Sequence, residues 1–397
     1  MSIRNNPIPR IQMPWLPILA TLGLLAGGCR YEQATVTRIA LPGDTVFFVP
    51  TQHKLIALTF DDGPNEPATS QILDILRAHG APATFFVVGE NVDYYPGVVQ
   101  RMAAEGHGIG NHSYRHSRFD QISLAEIDND IALGAEAIKK TVGRAPTWFR
   151  PPYGINGSTN TDSFCRARGL AIAGWSLDAN DWNPHPVEDM VQQLADQVCP
   201  GDIILLHDGW DRNHGAHRAA TVAVVARIVP LLMAQGYRFV SIPELLRQAS
   251  APTVVFSNGI RLLNIGLPAH PVQPGDTVWL RYFWDIPANL PQQEWTAFVH
   301  LTAPQASLIQ NDHDLSRSID VRDCVHRQAL FIPDQAPQGD YQIQIGLCPS
   351  NHIDIRDRVP VQYPRPAPQQ AVTLPRPLTV KQNRNGSRGE PSVIGNP

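Results

Sequence analysis

At ~100 to 200 residues per domain, a chain of 397 residues predicts two or three globular units rather than one core. Hydrophobic residues make up 43% and charged residues 17%, which argues against a chain mostly disordered or mostly embedded in a membrane. The 32 Lys and Arg against 36 Asp and Glu leave a net charge of −4, which offers no electrostatic footprint for nucleic acid and points to a neutral substrate.

Residues 1–28 read as an export signal. Arg4 and Arg10 are the only charges before Cys29, and the apolar run from Trp15 to Ala26 is shorter than the ~20 residues a spanning helix needs. The run ends in Ala26-Gly27-Gly28-Cys29, which resembles the bacterial lipobox, where the cysteine is lipidated and becomes the first residue. The alternative is an ordinary signal peptide with a chance cysteine. On the lipobox reading the protein is exported and anchored by lipid to the membrane of the bacterial cell envelope, and residues 29–52 are a linker.

From Leu55 to Leu246 short apolar runs alternate with amphipathic stretches. The runs at 55–60, 83–88, 106–112, 147–152, 170–177, 201–207 and 237–242 read as strands, the third weakened by its glycines. Ala68 to His79 and Leu124 to Thr141 carry helical patterns, closed by Gly80 and Gly143. Alternating β and α units imply a parallel sheet, so residues 53–249 suit an α/β domain of the (β/α) barrel type, complete or missing a unit. Polar residues fall at the strand ends: Asp61 and Asp62, His112 and His116, Arg150, Asp178 and Asp181, His207 and Asp208. In such a barrel these ends meet at one face.

Asp62, His112 and His116 form a set of the kind that holds a catalytic zinc while leaving a coordination position open. A lone HxxxH is usually a solvated pair, and a lone DDGP marks a turn. Their placement at successive strand ends makes the combination informative. Of two adjacent carboxylates, one can ligate a metal while the other takes a proton from water. His207 adds a second titrating group, suited to protonating a leaving amine or alcohol.

The segments TFDDGP (59–64), HSYRH (112–116), RPPYG (150–154), DANDW (178–182) and LLHD (205–208) resemble the five ordered motifs of the polysaccharide deacetylase family, the NodB-homology domain of carbohydrate esterase family 4. The resemblance implies a distorted, partly open (β/α) barrel. It also implies a metal-dependent hydrolase that removes acetyl groups from N-acetylated sugars of a cell-wall or extracellular polysaccharide, or less often from O-acetylated ones. Carried over by residue, it makes Asp61 the general base and Asp62, His112 and His116 the ligands of a divalent ion. Zinc is the expected ion, although such a site accepts several. Arg150 would orient Asp61, and the backbone N–H of Tyr153 would hold the oxyanion. His207, oriented by Asp181, would protonate the departing nitrogen. Trp182, Leu205 and Tyr153 would line the substrate pocket. The partner is then an acetylated polysaccharide or peptidoglycan. Competing readings are an O-acetyl esterase using the same site and a non-catalytic glycan-binding lipoprotein, which the loss of Asp61 or His207 would favour; both are present. GWSLD (174–178) lacks the second glycine of a serine-hydrolase elbow.

Plainer roles remain open for several of these residues. Trp182 and Leu205 could be core, Asp178 a turn cap, and Asp208 a partner of backbone. His214 and His217 lie in WDRNHGAH, a surface loop or a wall of the substrate groove.

After Ala249 the pattern changes, with Ser250 to Thr253 as linker. Alternating or apolar runs at 260–267, 277–286, 296–302, 341–347 and 359–363, with no helical pattern between them, predict for residues 254–381 a smaller all-β sandwich of immunoglobulin-like type. Val278, Leu280, Tyr282 and Trp284 would face its core. Trp279, Arg281 and Phe283 would face outward, to be covered by the neighbouring domain or to stack on sugar rings. Residues 382–397 read as a disordered tail. In an exported protein the remaining cysteines favour disulfides, most simply within each half: Cys165 with Cys199 and Cys324 with Cys348, with buried free thiols as the alternative.

Overall fold

A computed structural model describes residues 40, 42–155, 160–215, 217–268, 270–287, 294–304, 306, 308–315, 325–350, 359, 361–363, 371–381 and 393–394. The export signal and Cys29 lie outside the described residues. Among those described, no helix is long and apolar enough to cross a membrane.

The first half runs β1 (Thr45–Val46), β2 (Leu55–Asp61), α1 (Ala68–His79), β3 (Thr84–Val87), α2 (Gly89–Tyr94), α3 (Pro96–Ala104), β4 (Gly108–Asn111), α4 (Leu124–Val142), β5 (Trp148–Phe149), α5 (Thr161–Ala167), β6 (Ala171–Ala173), β7 (Leu177–Asp178), α6 (Val187–Gln197), β8 (Ile203–His207), α7 (Ala219–Ala234), β9 (Arg238–Phe239) and α8 (Ile242–Arg247). Local signals set the helix limits. The hydroxyl of Ser123 accepts from the backbone N–H of Glu126, whose carboxylate accepts from the backbone N–H of Ser123, a capping box that starts α4. Gly80 and Gly143 end α1 and α4 with φ of 58° and 76°, left-handed values that favour glycine.

The strands form a parallel sheet in the order β1-β6-β5-β4-β3-β2-β8-β7, with β9 also on β2. The expected strand at 170–177 is in fact two strands. β6 pairs with β1 and β5 near one end of the sheet, and β7 pairs with β8 at the other. Gly174, Trp175 and Ser176 alone join them, and four Cα steps span at most ~14 Å. The two ends must therefore lie close, which curls the sheet into the distorted barrel.

β2 is buried throughout, so its two faces do different work. Ile56, Leu58 and Phe60 pack outward in the cluster shared with α1, α6 and α7. Removing the Phe60 ring by substitution with Ala would cost ~3 to 5 kcal/mol. Ala57, Thr59 and Asp61 point the other way, beside Ile203, Leu205 and His207 of β8 in direct register.

The second half is all β among the described residues: β10 (Val254–Phe256), β11 (Arg261–Gly266), β12 (Thr277–Asp285), β13 (Trp295–Thr302), β14 (Ile309–Gln310), β15 (His313–Leu315), β16 (Val325–Phe331), β17 (Gly339–Pro349), β18 (Val361–Tyr363), β19 (Ala371–Thr373), β20 (Leu378–Val380) and β21 (Val393–Ile394). One sheet runs β16-β12-β11-β10-β18, the other β14-β13-β17-β19, with β15 on β13 and β20 on β17. Val278, Leu280, Tyr282 and Trp284 share a core with Val299, Leu301, Ile343 and Ile345 of the other sheet, the inward face that alternation predicts. Within the tail expected to lack structure, Val393 and Ile394 pair in parallel with Thr277 and Val278.

On the outward face of β12, Arg281 and Phe283 are covered by the first half, the first of the two expectations. Arg281 reaches the first half and donates to both carboxylate oxygens of Asp202, at 3.0 and 2.8 Å, with both side chains buried. Phe283 stacks on Phe48 with ring centroids 4.0 Å apart. The expected bridge between Cys165 and Cys199 is also absent: both are buried free thiols. Cys165 packs with Phe119, Phe149 and Leu170 under α5, whereas Cys199 lies at the foot of β8, its Sγ 3.5 Å from the carbonyl of Gln197. Their different packing environments explain why nearness in sequence does not pair them. Cys348 is buried on β17, and Cys324, its expected partner, lies outside the described residues.

Candidate active site

The site forms where β2 and β8 end side by side. Asp61 and His207 are registered partners across these strands, and the turn after β2 brings in Asp62. That turn packs closely: a Cβ on Gly63 would lie 2.1 Å from a carboxylate oxygen of Asp208, so a larger residue would displace one of them. Asp62, His116, Tyr153 and Asp211 all adopt φ between 47° and 70°, a conformation that non-glycine residues hold only where their surroundings enforce it.

Asp62, His112 and His116 are buried, and one ligand atom from each lies within 4.8 Å of the others. His112 turns Nδ1 to the carbonyl of Arg150 at 2.7 Å, and Nδ1 of His116 faces the carboxylate of Asp211. Both Nε2 atoms therefore converge, 3.2 Å apart, and lie 3.4 and 3.0 Å from one oxygen of Asp62. Two imidazoles oriented through their far nitrogens around a carboxylate are the donor set of a divalent-metal site, and these residues fit one. Burial disfavours charge on His116, but Asp211 and Asp62 outweigh it and raise the imidazole to about 10. Burial pushes Asp62 the opposite way, and His112 and His116 overcome it to hold the carboxyl well below its ordinary range. An incoming cation thus competes with a proton on His116.

Asp61 stands apart from that set. Its Oδ1 accepts from Nη1 of Arg150 at 2.7 Å, and its Oδ2 lies 3.8 Å from Nε2 of His112. Arg150 is fully buried and donates also to Thr59 and to the carbonyls of Ala173 and Gly174, so it braces Asp61 against the seam of the barrel. Across the site, Nδ1 of His207 lies 2.8 Å from Oδ1 of Asp181. Oδ2 of Asp181 accepts from the backbone N–H of His207 and the hydroxyl of Thr221. Burial lowers the basicity of His207, yet the charge of Asp181 and its hydrogen bond reverse this and raise the imidazole to about 9.

The remaining expected residues divide. Tyr153 and Trp182 are 44% and 49% exposed at the rim, so Trp182 is not core. Leu205 is buried on the face of β8 that carries His207. Asp178 caps a turn by accepting from the backbone N–H of Asn180 at 2.7 Å. Asp208 accepts from the hydroxyl of Thr69 at 2.6 Å as well as from backbone, and burial raises it to about 7.

Three residues of the site lay outside the motif reading. Asp211 faces His116 and accepts from the hydroxyl of Tyr153 at 3.1 Å. Asn91 donates to the carbonyls of Asp62 and Asp211 at 2.8 and 2.9 Å. Arg218, buried, donates to the carbonyl of Gly209 and, at 3.4 Å, to that of Asp181. The position of WDRNHGAH directly after LLHDG was the one signal for Asp211.

A curled parallel barrel that gathers a candidate metal set, a separate carboxylate and a His–Asp pair at one face is the architecture of a hydrolase. Residues 48–170 match the family model described as polysaccharide deacetylase. A peptidoglycan-N-acetylglucosamine deacetylase of Bacillus cereus is 41% identical over 206 residues, 52% of this chain and 94% of that protein. A chitooligosaccharide deacetylase of Bradyrhizobium sp. is 35% identical over 197 residues, 48% and 90% of the two chains. The crystal structure of the Bc1960 peptidoglycan N-acetylglucosamine deacetylase aligns with a TM-score of 0.49 at 33% identity, over 53% of this chain and 95% of that one. The chain belongs to the polysaccharide deacetylase family. It is an enzyme that deacetylates polysaccharide.

Proposed function

We propose that the substrate is an N-acetylated amino sugar within a cell-wall or extracellular glycan, and that Asp61 and His207 divide the proton transfers of its hydrolysis. The carrying observation is their placement in register across β2 and β8, with the three candidate ligands beside Asp61. Asp62, His112 and His116 would hold a divalent ion, zinc by the nitrogen and oxygen character of the donors. When bound, such an ion polarises an acyl oxygen and acidifies water.

This chain's own groups supply the rest. Asp61, fixed through one oxygen by Arg150, uses the other to take the proton from the attacking water. The backbone N–H of Tyr153 is the proposed donor to the oxyanion. His207 carries its transferable proton on Nε2, because Nδ1 is committed to Asp181, and delivers it to the departing amine. Leu205 and Trp182 bound the space for the acetyl methyl and its sugar.

The same reading takes Cys29 as a lipidation site that anchors the exported protein to the cell envelope, and the two C-terminal sheets as an immunoglobulin-like sandwich. Acetate release from a panel of peptidoglycan, N-acetylglucosamine oligomers and O-acetylated glycan tests the reaction, before and after chelation and metal replacement. Release from O-acetylated glycan alone would refute the N-deacetylase assignment.

A further inference from the structure

The three candidate ligands are not held alike. Nδ1 of His112 meets a neutral acceptor, the carbonyl of Arg150. Nδ1 of His116 instead faces the carboxylate of Asp211 in the loop after β8, and no other acceptor reaches that nitrogen among the described residues. Asp62 turns Oδ1 to the Nε2 atoms of both histidines, and its other oxygen, Oδ2, accepts from the backbone N–H of Asp211 at 3.3 Å. Asp211 therefore braces two of the three ligands from behind, one through its side chain and one through its backbone. Its own place is fixed from two further elements. Asn91 of α2 donates to the carbonyls of Asp211 and Asp62, at 2.9 and 2.8 Å, and the hydroxyl of Tyr153 donates to Oδ1 of Asp211 at 3.1 Å. These bonds enforce the left-handed φ of 47° that Asp211 adopts.

A carboxylate on the far nitrogen of an imidazole aims the ring, fixes its tautomer and makes the near nitrogen a stronger donor to a metal. Its charge favours the metal as well, because at equal distance a divalent ion gains twice the Coulomb energy of the proton it displaces. On the reading of Asp62, His112 and His116 as ligands, we infer that Asp211 is a positioning residue of the metal site, which commits His116 and Asp62 to a divalent cation and sets how tightly it is held. The side chain of Asp211 is 42% exposed, so water screens part of its charge. The expected effect on affinity is therefore at the low end of the ~10- to 100-fold that such partners supply.

The test measures the Zn2+ affinity of the full-length protein, stripped of metal and titrated against a chromophoric chelator at one pH, with circular dichroism to verify folding. Asp211→Asn keeps the backbone N–H and an acceptor oxygen but loses the charge, and its Kd should rise about tenfold. Asp211→Ala loses the acceptor too and should bind more weakly still. Glu90→Gln is the control: it removes a carboxylate that pairs with the adjacent Arg212 and touches no ligand, so its Kd should stay within about twofold of wild type. Loaded with Co2+, wild type and Glu90→Gln should share one visible absorption spectrum, whereas Asp211→Ala should give displaced bands, because these report ligand geometry. Equal Kd values for wild type and Asp211→Ala would overturn the inference while leaving the three ligands standing. A matching loss in Glu90→Gln would also overturn it, by reducing the effect to general charge. A wild type that binds no divalent ion would remove the metal reading itself, and the role of Asp211 with it.

Discussion

Replacing Asp181 by Asn should shift the alkaline limit of activity and leave the fold intact. His207 must be protonated to act as the acid, so the rate falls as pH rises through its pKa. In the wild type that value is about 9, against 6.5 for an unperturbed imidazole; burial lowers it, and the charge and hydrogen bond of Asp181 raise it by more. The asparagine amide removes the charge, and its NH2 turned toward Nδ1 would disfavour a proton there. Burial is then opposed only by the weaker charges of Asp62 and Asp61, and the pKa should fall toward 6.5. With a pKa near 6.5 the protonated fraction at pH 8 falls from nine-tenths to a few per cent, so turnover should drop up to about thirtyfold, whereas at pH 6 the two enzymes should differ little. A cation at Asp62, His112 and His116 lowers both values together, so the displacement between the profiles is the quantity to compare. The assay is acetate release from an N-acetylglucosamine oligomer between pH 5 and 10, with circular dichroism to verify folding. An unmoved alkaline limb would refute general-acid catalysis by His207.

His112→Ala and His116→Ala should lose bound metal and activity together, whereas Asp61→Asn should retain the metal and lose turnover; metal analysis of purified protein separates these, and a metal-free Asp61→Asn would overturn the division between the two aspartates. Arg281→Ala leaves the carboxylate of Asp202 buried without its partner, at an expected cost of ~3 to 5 kcal/mol by denaturant unfolding, and a loss under ~1 kcal/mol would show the pair to be incidental. Cells labelled with a fatty-acid analogue should tag the wild type and not Cys29→Ser; equal labelling would remove the lipid anchor from the proposal.

The legible parts of the sequence were those where one local signal sufficed. Ala68–His79 was read to the residue because a 3.6-residue apolar stripe ends at Gly80, and Asp62, His112 and His116 stood out because strand ends in a parallel barrel share a face. What escaped depended on distant partners. Residues 170–177 read as one strand because nothing in Gly174-Trp175-Ser176 shows that its two halves pair at opposite ends of a curled sheet. Arg281 and Phe283 were expected on an outward face to be covered by the neighbouring domain, and they are, but alternation could not name Asp202 and Phe48 as what covers them. Cys165 and Cys199 suggested a bridge because spacing in sequence carries no information about packing cluster. Asp211 escaped because a loop has no periodicity to report which way its carboxylate turns.

The ion pair between Arg281 and Asp202 also bears on any attempt to prepare a minimal catalytic fragment. Asp202 sits one residue before β8, the strand that ends in His207, and its carboxylate also accepts from the hydroxyl of Ser176, in the link between β6 and β7. Truncation after residue 249 would strip the guanidinium from that carboxylate and uncover the ring of Phe48. A shortened enzyme would therefore need Asp202 made neutral and Phe48 made polar, and a failure without those changes would reflect an exposed joint rather than a catalytic duty of the removed strands.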